Sequence, residues 1–310
     1  MKIGMLTDSL PHLGFDAMLE SAATLGIECL EFACGNWSSA PHIELNRMLE
    51  SSVARREFQA KVADRGLAIS ALNCSGNPLY PGTEGARQHD VTVKTLKLAR
   101  LLEIDRIVMM SGLPGGPGDS NPNWIVTEWP PECRTILQYQ WQEKIIPYWR
   151  NLAVVARDNG IKRICLELHG AQAVYNPSTL QRLRNVVGDI VGANYDPSHP
   201  MWMGADPLAA VRALGDAIYY VHAKDTRVKP IPAAIDGVLD TRPASEVGAR
   251  CWNYVTLGFG HGEAWWRQFC AALRMAGYDD VLSIEHEDSL IDPLEGVRKS
   301  VELLRNVTYR

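Results

Sequence analysis

The chain of 310 residues is 46% hydrophobic and 22% charged, enough apolar material for a substantial core in one large domain or two. Its formal net charge of -5 and the lack of any basic stripe exclude an electrostatic nucleic-acid partner, because phosphate binding needs a basic surface. Seven cysteines without C-x-x-C spacing, an N-terminus with no apolar signal-peptide core and no apolar run of membrane-span length give the expectation of a cytoplasmic protein with reduced thiols.

Along the chain, short apolar runs alternate with longer stretches of helical spacing. The runs predict strands at 2–6 (KIGML), 28–33 (ECLEFA), 67–73 (LAISALN), 105–111 (DRIVMMS), 163–168 (RICLEL), 191–196 (VGANYD), 218–223 (IYYVHA) and 281–285 (VLSIE). Each is nearly all apolar, as a strand buried on both faces requires. Helices are predicted between them, with Trp266, Phe269, Cys270 and Leu273 on one apolar stripe and Leu294, Val297, Val301 and Leu304 on another. The run NPS at 176–178 reads as a helix start, and Gly26 and Gly277 as helix ends.

Eight strand-plus-helix units predict one (β/α)8 barrel domain over 1–310, with right-handed crossovers. The alternative is an open doubly wound sheet. It lacks its G-x-G-x-x-G fingerprint, since GLPGGPG at 112–118 is broken by prolines and precedes no helix. Two connections, from 111 to about 132 and from 225 to about 262, are far longer than usual. Both leave the C-terminal end of a strand, the active face of such barrels, and read as substrate covers. Trp124, Trp252 and Tyr254 within them argue against disordered insertions.

Four consecutive strands carry a metal-ligand type at or near their C-terminal ends: Glu167 in CLELHG, Asp196 in NYDPSH, His222 late in its strand in YVHAKD and Glu285 in LSIEHED. Singly, a strand-end carboxylate is a salt-bridge partner or helix cap, and a lone histidine is a satisfied core residue. Together, inward carboxylates in a confined space repel and desolvate one another unless a cation compensates them. Three carboxylates and one imidazole suit one divalent ion, Mn²⁺ or Mg²⁺ first and Co²⁺ or Zn²⁺ as alternatives.

These motifs, with ECLEF at strand two and CSGNPLYP after strand three, resemble the xylose isomerase-like TIM-barrel superfamily of sugar isomerases and epimerases. The resemblance implies one metal held by Glu167, Asp196, His222 and Glu285. It also implies that Glu167 and Glu285 shuttle the proton, and that His199 and a basic residue, Lys224 or Arg227, contact substrate oxygens. Endonuclease IV-type enzymes share the barrel but use extra histidines on strands two and three, whereas the loop after strand three here, 73–77, has none. GVLDTRP, RCWNYVTLGFGHG and GYDDVLSIEHED are similar to the larger subunit of bacterial C-glycoside deglycosylases, which implies a lyase acting on 3-oxo-glycosides by β-elimination. Both activities begin with proton removal beside a carbonyl.

Further residues carry alternatives. His169 is read as a substrate contact or a rim residue, Asn77 and Glu31 as pocket lining or scaffold, and His261 as a loop residue reaching substrate. Trp124 and Trp252 stack on a sugar or aglycone or simply pack. Glu287, Asp288 and Asp225 support the ligands or cap helices, and His286 points away from the site by strand alternation. The expected partner is a small, unphosphorylated carbohydrate, because no Gly-rich phosphate loop follows strands seven or eight. A homo-oligomer or a small partner subunit is left open.

Overall fold

The computed structural model describes residues 1–309. The barrel strands are β1 (Lys2–Leu6), β2 (Cys29–Ala33), β3 (Ala68–Asn73), β4 (Arg106–Met109), β5 (Arg163–Glu167), β6 (Val191–Tyr195) and β7 (Ile218–Ala223). Two strands then pair apart from the barrel, β8 (Asp225–Val228) and β9 (Trp252–Val255), before the last barrel strand, β10 (Val281–Ile284). The eight barrel strands close in the order β1, β10, β7, β6, β5, β4, β3, β2, with helices between them. This is the expected (β/α)8 barrel, each strand lying within two residues of its predicted bounds.

By its contacts the chain divides into two compact units. One comprises Met1–Glu31, Ala60–Ser70 and the chain from Tyr195 onward. In it β1 pairs in parallel with β10 and β10 with β7, the register setting Ser283 beside His222 and Met5 beside Ile284. Trp266, Phe269, Cys270 and Leu273 of the helix Glu263–Met275 are buried, as their spacing predicts. In the helix Pro293–Val307, Val297, Val301 and Leu304 are buried, but Leu294 is 37% exposed. Leu294 sits in the first turn, where Asp292 caps its backbone N–H, so it falls before the stripe reaches the core.

The other unit comprises Phe32–Gln59 and Ala71–Asn194. Here β4 and β5 pair in parallel, as do β5 and β6. The helix Pro177–Val187 starts where NPS predicts it, with Asn176 and Thr179 forming a capping box. The connection after β4 is ordered by buried amides: Gln140 donates to the carbonyls of Pro114 (2.8 Å) and Asn123 (2.6 Å).

Sequence patterning missed that the connection after β7 is itself structured. It carries the antiparallel pair β8 and β9, with Thr226 opposite Tyr254, and a helix at Pro230–Asp236. Among the described residues no helix is long and apolar enough to cross a membrane, and all seven cysteines are free.

Candidate active site

Parallel strands in one barrel end on one rim, so a residue just past each strand meets the residues past its neighbours. Asp196 is the first residue after β6, and its Oδ1 accepts from Ser198 N (2.8 Å) in the turn that begins the helix Ser198–Met203. Its Oδ2 is left facing His199 Nε2 (3.2 Å) and Lys224 Nζ (3.3 Å). His222 lies in β7 and is fully buried. Its Nε2 donates to Glu31 in the middle of β2 (2.9 and 3.2 Å), and Ser283 Oγ donates to the same carboxylate (2.9 Å). That arrangement turns Nδ1 toward Oε2 of Glu285, 3.0 Å away.

Lys224, alternating with His222 across one residue, is 3% exposed and donates from Nζ to Glu285 Oε2 (2.8 Å), with Glu287 Oε2 at 3.7 Å. Burial disfavours every one of these charges, and their mutual pairing overrides it. Asp196 is pushed up by burial but held at about 2 by His199 and Lys224. Glu285 is held well below the usual carboxylate range by Lys224 and His222 in the same way. Burial lowers His222, yet Glu31 and Glu285 on its two sides keep it well above the ordinary histidine range.

One ligand atom from each of Glu167, Asp196, His222 and Glu285 lies within 4.8 Å of the others. First-row divalent ions bind such oxygens and nitrogens at about 2.0–2.2 Å, so donors on opposite sides of an ion stand about 4 Å apart. The cluster therefore fits a divalent ion after small side-chain shifts. The fit extends beyond the ligands: Glu31 takes one nitrogen of His222 and presents the other, and Ser198 takes one oxygen of Asp196 and presents the other.

Comparison with known proteins agrees with this geometry. A family model described as "Xylose isomerase-like TIM barrel" matches residues 19–307. The chain belongs to that family. The uncharacterised protein YfiH of Bacillus subtilis (strain 168) is 48% identical over 308 residues, covering 98% of both chains. Solved structures share the xylose isomerase-like fold at low identity. The probable 3-DHS dehydratase AsbF from Bacillus anthracis, involved in petrobactin synthesis, superposes with a TM-score of 0.68 at 17% identity, over 98% of this chain and 99% of that one. The IolI protein with a bound zinc atom gives 0.67 at 18%, over 99% and 98%. D-psicose 3-epimerase from Clostridium cellulolyticum H10, solved with D-tagatose, gives 0.65 at 15%, over all of both chains.

The other predicted residues of this xylose isomerase-like barrel are placed as follows. His199 is fully buried, and its Nδ1 meets the hydroxyl of Tyr254 (3.0 Å). Arg227 is exposed and its guanidinium donates to Phe259 O (3.0 Å from Nε), so of the two basic candidates only Lys224 joins the ligand cluster. Asn77 is buried, donates to Leu113 O (2.9 Å) and accepts from Leu113 N (2.8 Å) and Leu79 N (3.1 Å). His261 is held at Nδ1 by Asp225 Oδ1 (2.8 Å) and its ring lies 4.8 Å from that of Trp265. His169 is half-buried with Nδ1 donating to Gly170 O, and Trp124 packs edge-on against Tyr175 (5.5 Å). Trp252 stacks on Trp202 (4.7 Å, 7°). His286 lies against Gly296 of the helix Pro293–Val307, pointing away from the cluster as alternation requires. Two residues go beyond the sequence reading. Glu31 is a partner of the candidate ligand His222, a role no local motif marks, and Tyr254 arrives from a pairing that the sequence does not announce.

Proposed function

We propose that the protein is a divalent-metal-dependent isomerase or epimerase that acts on an unphosphorylated keto sugar or sugar derivative by removing the proton beside the carbonyl. The observation that carries this reading is the buried cluster of Glu167, Asp196, His222 and Glu285, with His222 oriented by Glu31. The epimerase among the structural neighbours supports the reaction class, and the neighbour with zinc supports a metal in this fold. Mn²⁺ is the proposed ion for a mostly oxygen donor set, with Mg²⁺, Co²⁺ and Zn²⁺ as alternatives.

A bound divalent ion would supply Lewis-acid polarisation of the carbonyl. The chain supplies the rest. Glu285 is kept ionised by Lys224 and His222 and can accept the proton, while Glu167 is the second carboxylate able to return it at the opposite face or the neighbouring carbon. His199 and Lys224 are proposed to donate hydrogen bonds to substrate oxygens. Elimination from a 3-oxo-glycoside begins with the same proton removal, and the dehydratase among the neighbours supports that second reading.

Metal analysis of protein purified without chelator tests the centre: about one divalent ion per chain is expected, lost in Glu167→Gln and His222→Ala. Incubation with free ketohexoses and with 3-oxo-glycosides in D₂O tests the reaction. Deuterium beside the carbonyl with the glycosidic bond intact supports the isomerase, and aglycone release supports the lyase. Absence of metal, or wild-type exchange in Glu285→Gln, refutes the assignment.

A further inference from the structure

Two of the four candidate ligands are oriented by a partner behind them: Glu31 takes one nitrogen of His222, and the backbone N–H of Ser198 takes one oxygen of Asp196. Glu167 ends β5, and the ladder to β6 sets Asn194 directly beside it, the two being Cα partners. Paired residues of parallel strands point to the same face, and side chains alternate along each strand. Tyr195 fixes the alternation on β6, since its hydroxyl donates to Pro207 O (2.9 Å) and its ring lies 6.1 Å from that of Phe269 in the helix Glu263–Met275. Tyr195 therefore faces the helices. Asn194 and Asp196, on either side of it in the chain, face the barrel interior, as Glu167 does.

Asn194 is fully buried, and neither its Nδ2 nor its Oδ1 has a hydrogen-bond partner. Among the described residues no other side chain leaves two buried polar atoms unpaired. An amide offers two donors and an acceptor, and burying it unpaired costs stability that an apolar side chain of like shape would not. Carboxylates that bind a metal, by contrast, are themselves hydrogen-bonded from behind.

We propose that Asn194 is a positioning residue for Glu167, its Nδ2 donating to the glutamate oxygen turned away from the ion when Glu167 binds a divalent cation. The inference rests on the metal reading of the site. The four candidate ligand atoms, within 4.8 Å of one another, must draw together to hold one ion, and that shift re-aims the Glu167 carboxylate beside a donor with no other partner.

The test pairs stability with metal affinity in Asn194→Leu, which keeps the branched shape without the amide, and in Asn194→Ala, which cannot overpack. In chelator-stripped protein Asn194→Leu should melt about 2–4 °C above wild type, because an unpaired buried amide is gone. In calorimetric titration with Mn²⁺ both variants should bind about 10-fold to 100-fold more weakly, the loss seen when a partner behind a ligand is removed. An amide with a purely structural role would give lower melting and an unchanged Kd. Melting of both variants below wild type shows that the amide is already bonded before metal binds, and overturns the proposal. A wild-type Kd in either folded variant overturns it equally, and if Asn194→Leu does not fold, Asn194→Ala decides by its Kd. If wild type itself takes up no divalent ion, the metal reading fails and the inference falls with it; a wild type that binds Mn²⁺ beside variants that bind it as tightly overturns the inference alone.

Discussion

Replacing Glu31 by Gln keeps the side-chain length and removes one buried charge. In the native site Oε2 of Glu31 serves two donors at 2.9 Å, His222 Nε2 and Ser283 Oγ. A glutamine can set its one oxygen between them, so the geometry survives while two charge-assisted hydrogen bonds become neutral ones. Hydrogen bonds to charged groups contribute about 1.5–3 kcal/mol and neutral ones about 1. Carboxylates behind a histidine ligand contribute about 10-fold to 100-fold in metal affinity, or about 1.4–2.7 kcal/mol. Glu31 strengthens the hold of His222 on a proton as well as on a metal, and the metal must displace that proton. With His222 held above its ordinary range, proton competition masks part of the loss at neutral pH and fades as pH rises through the raised value. Calorimetric titration of chelator-stripped protein with Mn²⁺ should therefore give a weaker Kd in Glu31→Gln, with a gap from wild type that widens at alkaline pH. An unchanged Kd there, in a variant with native circular dichroism, refutes the orienting role.

Asp225→Asn should lower stability by about 2–4 kcal/mol in thermal or denaturant unfolding, because an amide NH₂ would face the backbone donors of Gly258, Gly260 and His261; an unchanged midpoint refutes the clasp. Gly296→Ala gains about 1 kcal/mol of helix propensity, but its methyl overlaps the His286 imidazole, and overpacking costs about 1–3 kcal/mol. The variant should be less stable than wild type and regain stability when His286→Ala is added; additive losses would show that the two do not meet. Burial pushes the thiols of Cys29, Cys74 and Cys270 up to about 12, so each stays protonated until pH rises to that value. Cys133, the one cysteine not buried, should react first with iodoacetamide at mildly alkaline pH, read by peptide mass mapping; labelling of Cys74 ahead of Cys133 in folded protein contradicts this.

Much of the candidate site was legible because it follows from strand ends. β5, β6, β7 and β10 are apolar runs with Glu167, Asp196, His222 and Glu285 at, just past or one residue before their C-terminal ends, and a parallel barrel brings such ends to one rim. The same pattern could not choose between Lys224 and Arg227. Only Asp225 and Thr226 of β8 separate a buried ammonium in the candidate ligand cluster from an exposed guanidinium bound to a loop carbonyl. Asn77 was ambiguous for a like reason, since amides that line pockets and amides that clamp loops have the same sequence context. Leu294 matched the helical period yet lies exposed at the capped first turn, where the period has not reached the core.

By itself the sequence determined the eight parallel strands, the family's barrel and the four candidate ligand types, because hydrophobic period and strand-end chemistry are local. Only tertiary structure decided that Glu31, 191 positions away in the chain, orients His222. Only it showed that β8 and β9 pair across the intervening loop to deliver Tyr254 to His199. Both are pairings between distant segments, and a hydrogen bond made only after folding leaves no periodic trace in either segment alone.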